Sequence, residues 1–106
     1  MIEINIAKDF AETPGARLYS DGPKSGQEFF DVMLKGKFSE ALEGKTKLKI
    51  ILDGTDGFPS SFLNEAFRRL AETFGQDIAW NNLFLISNEV PKYIQKIKEA
   101  IYETQK

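Results

Sequence analysis

The chain has 106 residues, 42% of them hydrophobic with nine Phe, and carries 28% charged residues at a net charge of −2. This is the composition of one globular domain over residues 1–106, with a core that needs no covalent staples, and not of a disordered segment. Cys and His are both absent, which excludes disulfides, thiolate nucleophiles, Cys- or His-ligated metals, and Ser-His-Asp or Cys-His catalysis.

At the N-terminus Ile2, Ile4 and Ile6 alternate with Glu3 and Asn5, the period of a half-buried strand. Residues 9–26 are rich in turn formers, with Pro14-Gly15 and Asp21-Gly22-Pro23. Within them Leu18, set between Arg17 and Tyr19, predicts a second short strand over 16–20. Ser25-Gly26-Gln27-Glu28 has capping-box spacing, and Phe30, Met33, Leu34, Phe38, Ala41 and Leu42 follow close to helical spacing. Gly36 interrupts that stripe, so one helix or two short ones both fit, and Gly44 is the natural stop. Lys45, Lys47 and Lys49 form the densest basic cluster and read as a solvated strand edge.

Leu48 and Ile50-Ile51-Leu52 predict a buried strand, central or covered on both faces. After a turn over 54–59, Phe62, Leu63, Ala66, Phe67, Leu70 and Phe74 give the strongest amphipathic pattern in the chain, ended by Gly75. Asn81-Asn82 introduces another buried strand over 83–86, and Trp80 before it reads as a core-edge residue. Pro91 marks the start of a last helix, with Tyr93, Ile94, Ile97 and Ile101 on one face. The element order is β-β-α-β-α-β-α: an α/β fold with a mixed, partly parallel four-stranded sheet and about three helices. No segment approaches the roughly 18 apolar residues of a membrane span, and no signal peptide is visible. The expectation is a cytoplasmic protein with no membrane partner. The pI near 5.2 argues against nucleic acid as a partner.

The segment from Asp53 to Phe67 holds the most chemistry. A strand ends in Asp53, a turn follows, and Ser60 and Ser61 open an amphipathic helix. A helix N-terminus offers unpaired amides and partial positive charge, so a phosphate there is tolerated. It would add roughly −2 of charge, enough to abolish docking at a binding face. On physical grounds the same serines read more simply as N-caps, worth about 1 kcal/mol. Gly22-Pro23-Lys24-Ser25-Gly26 fails as a phosphate loop, since Leu18 stands where the first Gly belongs. Arg17 and Lys24 instead stand as an anion or partner contact. Asp53, Asp56 and Glu65 could offer carboxylates to Mg²⁺, although the two Asp-Gly pairs are more simply turn formers. A serine nucleophile without His would need Lys24 or a carboxylate to activate it. No cofactor or metal is expected.

These residues resemble a known family. A strand of the type Ile50-Ile51-Leu52-Asp53 leading to a Ser pair that opens a helix is similar to the serine region of anti-sigma-factor antagonists, the STAS domains. The chain resembles still more closely a bacterial STAS-like domain family of unknown function. The residues that carry this are Asp9-Phe10, Pro14-Gly15-Ala16-Arg17, Ser20-Asp21-Gly22-Pro23, Ser25-Gly26-Gln27-Glu28-Phe29, Asp53-Gly54, and the run from Ser60 to Phe67. The resemblance implies a STAS-like fold and a small regulatory module that binds a protein partner. It further implies partner switching with a serine kinase of the histidine-kinase-like ATPase fold, which holds the unmodified form and releases the phosphorylated one. Ser61 matches the phosphorylated serine. Pro59 and Phe62 stand where antagonists place Asp and Gly, so Ser60 remains a candidate beside it. Asp56, Phe58, Asn64 and Arg68, with Arg17 and Lys24, form the candidate partner surface. Two other readings compete: an interaction subunit without phosphorylation, and a small His-independent enzyme. A homodimer through an open strand edge fits any of the three.

Overall fold

The computed structural model describes residues 1–103. The three apolar runs form strands β1 (Ile2–Asn5), β2 (Leu48–Ile51) and β3 (Leu83–Ile86). They lie in the order β1-β2-β3, and both pairings are parallel. Ile2, Leu48 and Leu83 share one row, and Ile4, Ile50 and Leu85 another, so one face of the sheet is continuously apolar. Parallel neighbours need crossovers. The first runs through α2 (Gly26–Phe29), a π-helical stretch (Phe30–Leu34) and α3 (Lys35–Glu43); the second through α4 (Ser60–Phe74) and α5 (Gln76–Asn81). After β3 the chain ends in α6 (Lys92–Ile101). α4 lies at the centre of the helical layer, packed against α2, the π stretch, α5 and α6.

The α/β class and the parallel character hold, while the strand count and the mixed character do not. Among the described residues the sheet has three strands, not four, and is parallel throughout. The expected strand over 16–20 is absent because its backbone is tied elsewhere: Gly26 N–H donates to the Ala16 carbonyl and Gln27 N–H to that of Arg17. Its end winds into a 3₁₀ turn at Tyr19–Asp21. Helical segments beyond the expected three also occur. One is α1 (Ile6–Asp9), which ends β1 because Asn5 Oδ1 accepts from Lys8 N–H while Asp9 Oδ2 accepts from Asn5 N–H. The other is α5, a short helix between Gly75 and β3.

The helix after Ser25 is continuous, with the π turn in its middle. A π turn closes i→i+5, so Phe29 and Leu34, five apart, both face the core with no exposure. Ser25 caps it by accepting from Glu28 N–H at 3.0 Å. The Glu28 carboxylate reaches past the cap to Lys24 N–H, also at 3.0 Å. Gly26 has no room for a side chain, since a Cβ would stand 2.5 Å from the Phe62 carbonyl oxygen. That close approach seats the start of α2 on the start of α4. Gly36, in contrast, lies within α3 with nothing near its missing Cβ. Gly36→Ala is therefore expected to stabilise the protein by about 0.5–1 kcal/mol, read as a higher urea midpoint. A lower midpoint would mean that the neighbouring π turn depends on glycine.

The second face of the sheet is open. One row across it carries Glu3, Lys49 and Phe84, and Phe84 is 45% exposed. Lys49 pairs with Glu3 at 3.5 Å and stands 6.0 Å over the Phe84 ring. Lys49 thus sits on the face of the central strand, not on an edge as its cluster predicted. No helix among the described residues is long and apolar enough to cross a membrane.

Candidate functional site

The site is built around the first two turns of α4. Phe62 and Leu63 anchor that end in the core, and Phe62 is wholly buried beside the rings of Phe10, Phe29 and Phe58. This fixes which way the polar residues face. Ser60 is exposed and Ser61 half-buried, while Asn64 and Glu65 follow one turn later. The N-cap is Pro59, and no side chain caps the helix start. The serines are therefore the first two helical residues and not caps, which corrects the capping alternative.

Glu65 is the electrostatic centre of this face. Its side chain is 2% exposed, yet it sits on a polar helix face because three guanidinium groups converge on it. Oε1 accepts from Arg17 at 3.1 Å and from Arg68 at 2.7 Å, and Oε2 accepts from Arg69. Burial pushes the carboxyl upward, but hydrogen bonds from Arg69, Arg17 and Arg68, with the Arg68 charge, outweigh it and hold Glu65 below its ordinary value. For Arg68, burial alone would lower the guanidinium, and its bonds to Glu65 and Glu72 raise it instead.

Arg17 comes from the long loop after α1. The loop backbone is pinned to the α2 N-terminus, and Gly15 N–H donates to the Lys24 carbonyl. From that base Arg17 reaches α4, where it also donates to Asn64 Oδ1 at 2.7 Å. Asn64 in turn donates to Glu103 at 3.0 Å, joining the face to the end of α6. A cleft of about 190 Å³ opens beside Ser60 and Asn64, walled by Lys96, Glu99 and Glu103.

Of the residues singled out from the sequence, Ser60, Ser61, Asn64, Arg68 and Arg17 are gathered on this face. The others are placed apart. Phe58 is 8% exposed and packs on Phe62 and Tyr93, so it belongs to the core and not to a partner surface. The Asp56 carboxylate accepts from Thr13 at 2.6 Å. Lys24 lies with its ammonium 5.0 Å over the Phe10 ring, a cation–π position. Asp53 accepts from Asn88 and Glu89 amides, and the Glu89 carboxylate accepts from Gly54 N–H. This reciprocal clasp ties two loops at the carboxyl ends of β2 and β3. Glu65 is engaged with three arginines, so the Mg²⁺ grouping with Asp53 and Asp56 is not formed. Among the described residues no group of three acidic, His or Cys side chains is placed to hold a metal ion. Trp80 is half-buried against the core, as expected, under the Lys98 ammonium at 5.5 Å.

Sequence reasoning missed Glu65 as a hub. Part of the signal was present: Glu65 precedes Arg68 and Arg69 by three and four residues, the spacing of helical ion pairs. Arg17, far away in sequence, carried no such signal.

A family model described as a STAS-like domain of unknown function matches residues 25–92, well over half of the chain. The match begins at the Ser25 cap and includes the whole of α4, while Arg17 and Lys24 lie before it. No curated protein and no solved structure matches the chain.

Proposed function

The chain belongs to this family of STAS-like domains of unknown function, and on that premise we propose that it is a small regulatory protein-binding module. Its docking surface is the first two turns of α4 with the Arg17 loop, and its switch is phosphorylation of Ser61 or Ser60. The partner is a protein, a serine kinase of the histidine-kinase-like ATPase fold, which holds the unmodified form and releases the phosphorylated one. The module acts in the cytoplasm, without catalysis or cofactor of its own. One observation carries the reading. Two serine side chains stand at the start of α4 with no capping duty, one turn before the Asn64 and Glu65 side chains that hold the half-exposed Arg17 guanidinium. The enzyme alternative is disfavoured because Lys24, the basic group it would use, lies over Phe10.

The test is a pull-down from native lysate with wild type, Ser61→Asp and Ser60→Asp, read by mass spectrometry. Retention of an ATPase-fold kinase by wild type, and its loss in either Asp variant, is the expected result. Identical retained proteins in all three would overturn the switch and favour an interaction subunit without phosphorylation. Stability checks the site separately. With Pro59 at the cap, Ser61→Ala is expected to change unfolding free energy by less than about 0.5 kcal/mol. A loss near the roughly 1 kcal/mol of a true cap would contradict the observed helix start.

A further inference from the structure

Arg17 and Arg69 share a single carboxylate. Arg68 spreads its charge over Glu65, Glu72 and Glu103, but among the described residues Arg17 and Arg69 find only Glu65. This leaves two partly exposed guanidiniums, 40% exposed at Arg17 and 31% at Arg69, dependent on one carboxylate that Arg68 also engages. The position of Arg17 is constrained by helix geometry. At about 100° per residue, Asn64 lies roughly 60° to one side of Ser61 and Glu65 roughly 40° to the other. Arg17 Nη1 bridges those two side chains, at 2.7 and 3.1 Å. Arg17 is therefore held against the two residues that flank the Ser61 position on the helix, one turn of about 5.4 Å further along the axis. Its carbonyl accepts from Gln27 N–H and that of Ala16 from Gly26 N–H, next to the α2 cap. The base of the side chain is fixed and its tip is half in water.

We propose that Arg17 is an intramolecular clasp for a phosphate on Ser61. This rests on the phosphorylation reading above and adds how the phosphate acts. A nucleoside triphosphate supplies the γ-phosphoryl group: the Ser61 Oγ–P bond forms, the bridging P–O bond to the β-phosphate breaks, and the hydroxyl proton passes to a base of the kinase. The dianion then outcompetes Asn64, a neutral acceptor, and shares Arg17 with Glu65. Arg17 turns up one helical turn and is withdrawn from the partner-facing surface, while Asn64 is left to Glu103. The phosphate thus changes the docking face twice, by adding its own charge and by removing an arginine.

The experiment uses chain with phosphoserine incorporated in place of Ser61, in wild-type and Arg17→Ala backgrounds, and follows the ³¹P signal with pH. The charged groups on this face are Arg17 from the loop, Glu65, Arg68 and Arg69 from α4, Lys96 and Glu99 from α6, and Glu103 after it. Only the first differs between the two samples. The second phosphate pKa, ordinarily about 6, is expected to lie about 0.5–1 lower with Arg17 than with Ala. Equal values overturn the clasp. A second readout needs no variant: the Arg17 side-chain NH signals in the phosphorylated chain should shift relative to the unmodified chain, and unchanged signals overturn the clasp as well. No partner is present in either measurement. A failed clasp with a phosphate that still releases the kinase would leave the switch standing, and a confirmed clasp with no effect on binding would overturn the switch alone.

Discussion

Phe62→Ala is expected to cost about 3–5 kcal/mol, the usual range for removing a buried aromatic ring. A domain of this size has about 5–15 kcal/mol in total, so the variant approaches the edge of folding. Phe62 has no exposed surface, and its ring centroid lies 5.6 Å from that of Phe29, 6.2 Å from Phe10 and 5.5 Å from Phe58. These neighbours come from three places: α2, the end of the α1 turn, and the turn before α4. One truncation therefore opens a cavity where two loops and a helix converge. Urea unfolding should show a lower midpoint at unchanged slope. Amide exchange should rise first at Asp56, whose N–H donates to the Glu12 carbonyl and ties the two loops together. A cost under about 1 kcal/mol would show that the ring cluster does not anchor the start of α4.

This cluster also shows what a reader of the sequence could see. The ring on α4 was legible, because Phe62, Ala66 and Phe67 fall at helical spacing. So were the three strands, one alternating and two apolar runs, with helical stripes in both crossovers between them, although a fourth strand and a mixed sheet were also expected. The segment 10–24 was not legible. Alternation around Leu18 suggested a strand, but strand formation depends on a neighbour able to supply a ladder, and the nearest backbone donors belong to Gly26 and Gln27 at a helix start. The sequence holds no local trace of that choice. The same holds for the candidate site. The serines and the Glu65–Arg68–Arg69 spacing lie on one helix and can be read from it, whereas the Arg17 contact depends on how the loop folds back. Capping is ambiguous for a different reason: a serine before a helix resembles a cap unless the first turn begins at that serine, as it does at Ser60 after the Pro59 cap.

Glu65→Gln is expected to cost about 2–3 kcal/mol at pH 7. Breaking a fully buried ion pair costs about 3–5 kcal/mol, and the value here is smaller because the three guanidiniums are partly exposed and can return to water. Glutamine keeps the volume but turns an amide N–H₂ towards an arginine. The cost should also depend on pH, with a definite sign. The folded Glu65 carboxyl lies below its ordinary value, so its stabilisation is fully present above the unfolded value near 4.3. It is lost as pH falls through the lowered folded value. Other carboxylates titrate in both proteins, so the difference between them isolates Glu65. Urea midpoints of wild type and Glu65→Gln should be well separated at pH 7 and draw together as the pH falls below the unfolded value, about 4.3, and through the lowered folded one. A gap that persists undiminished in acid would assign the cost to packing and not to charge. The result bears on function through Arg17. If the gap closes with acid, the Glu65 charge is what binds its three guanidiniums, Arg17 among them. A second anion one turn away would then compete for the Arg17 guanidinium on electrostatic terms, which is the condition the phosphate clasp requires.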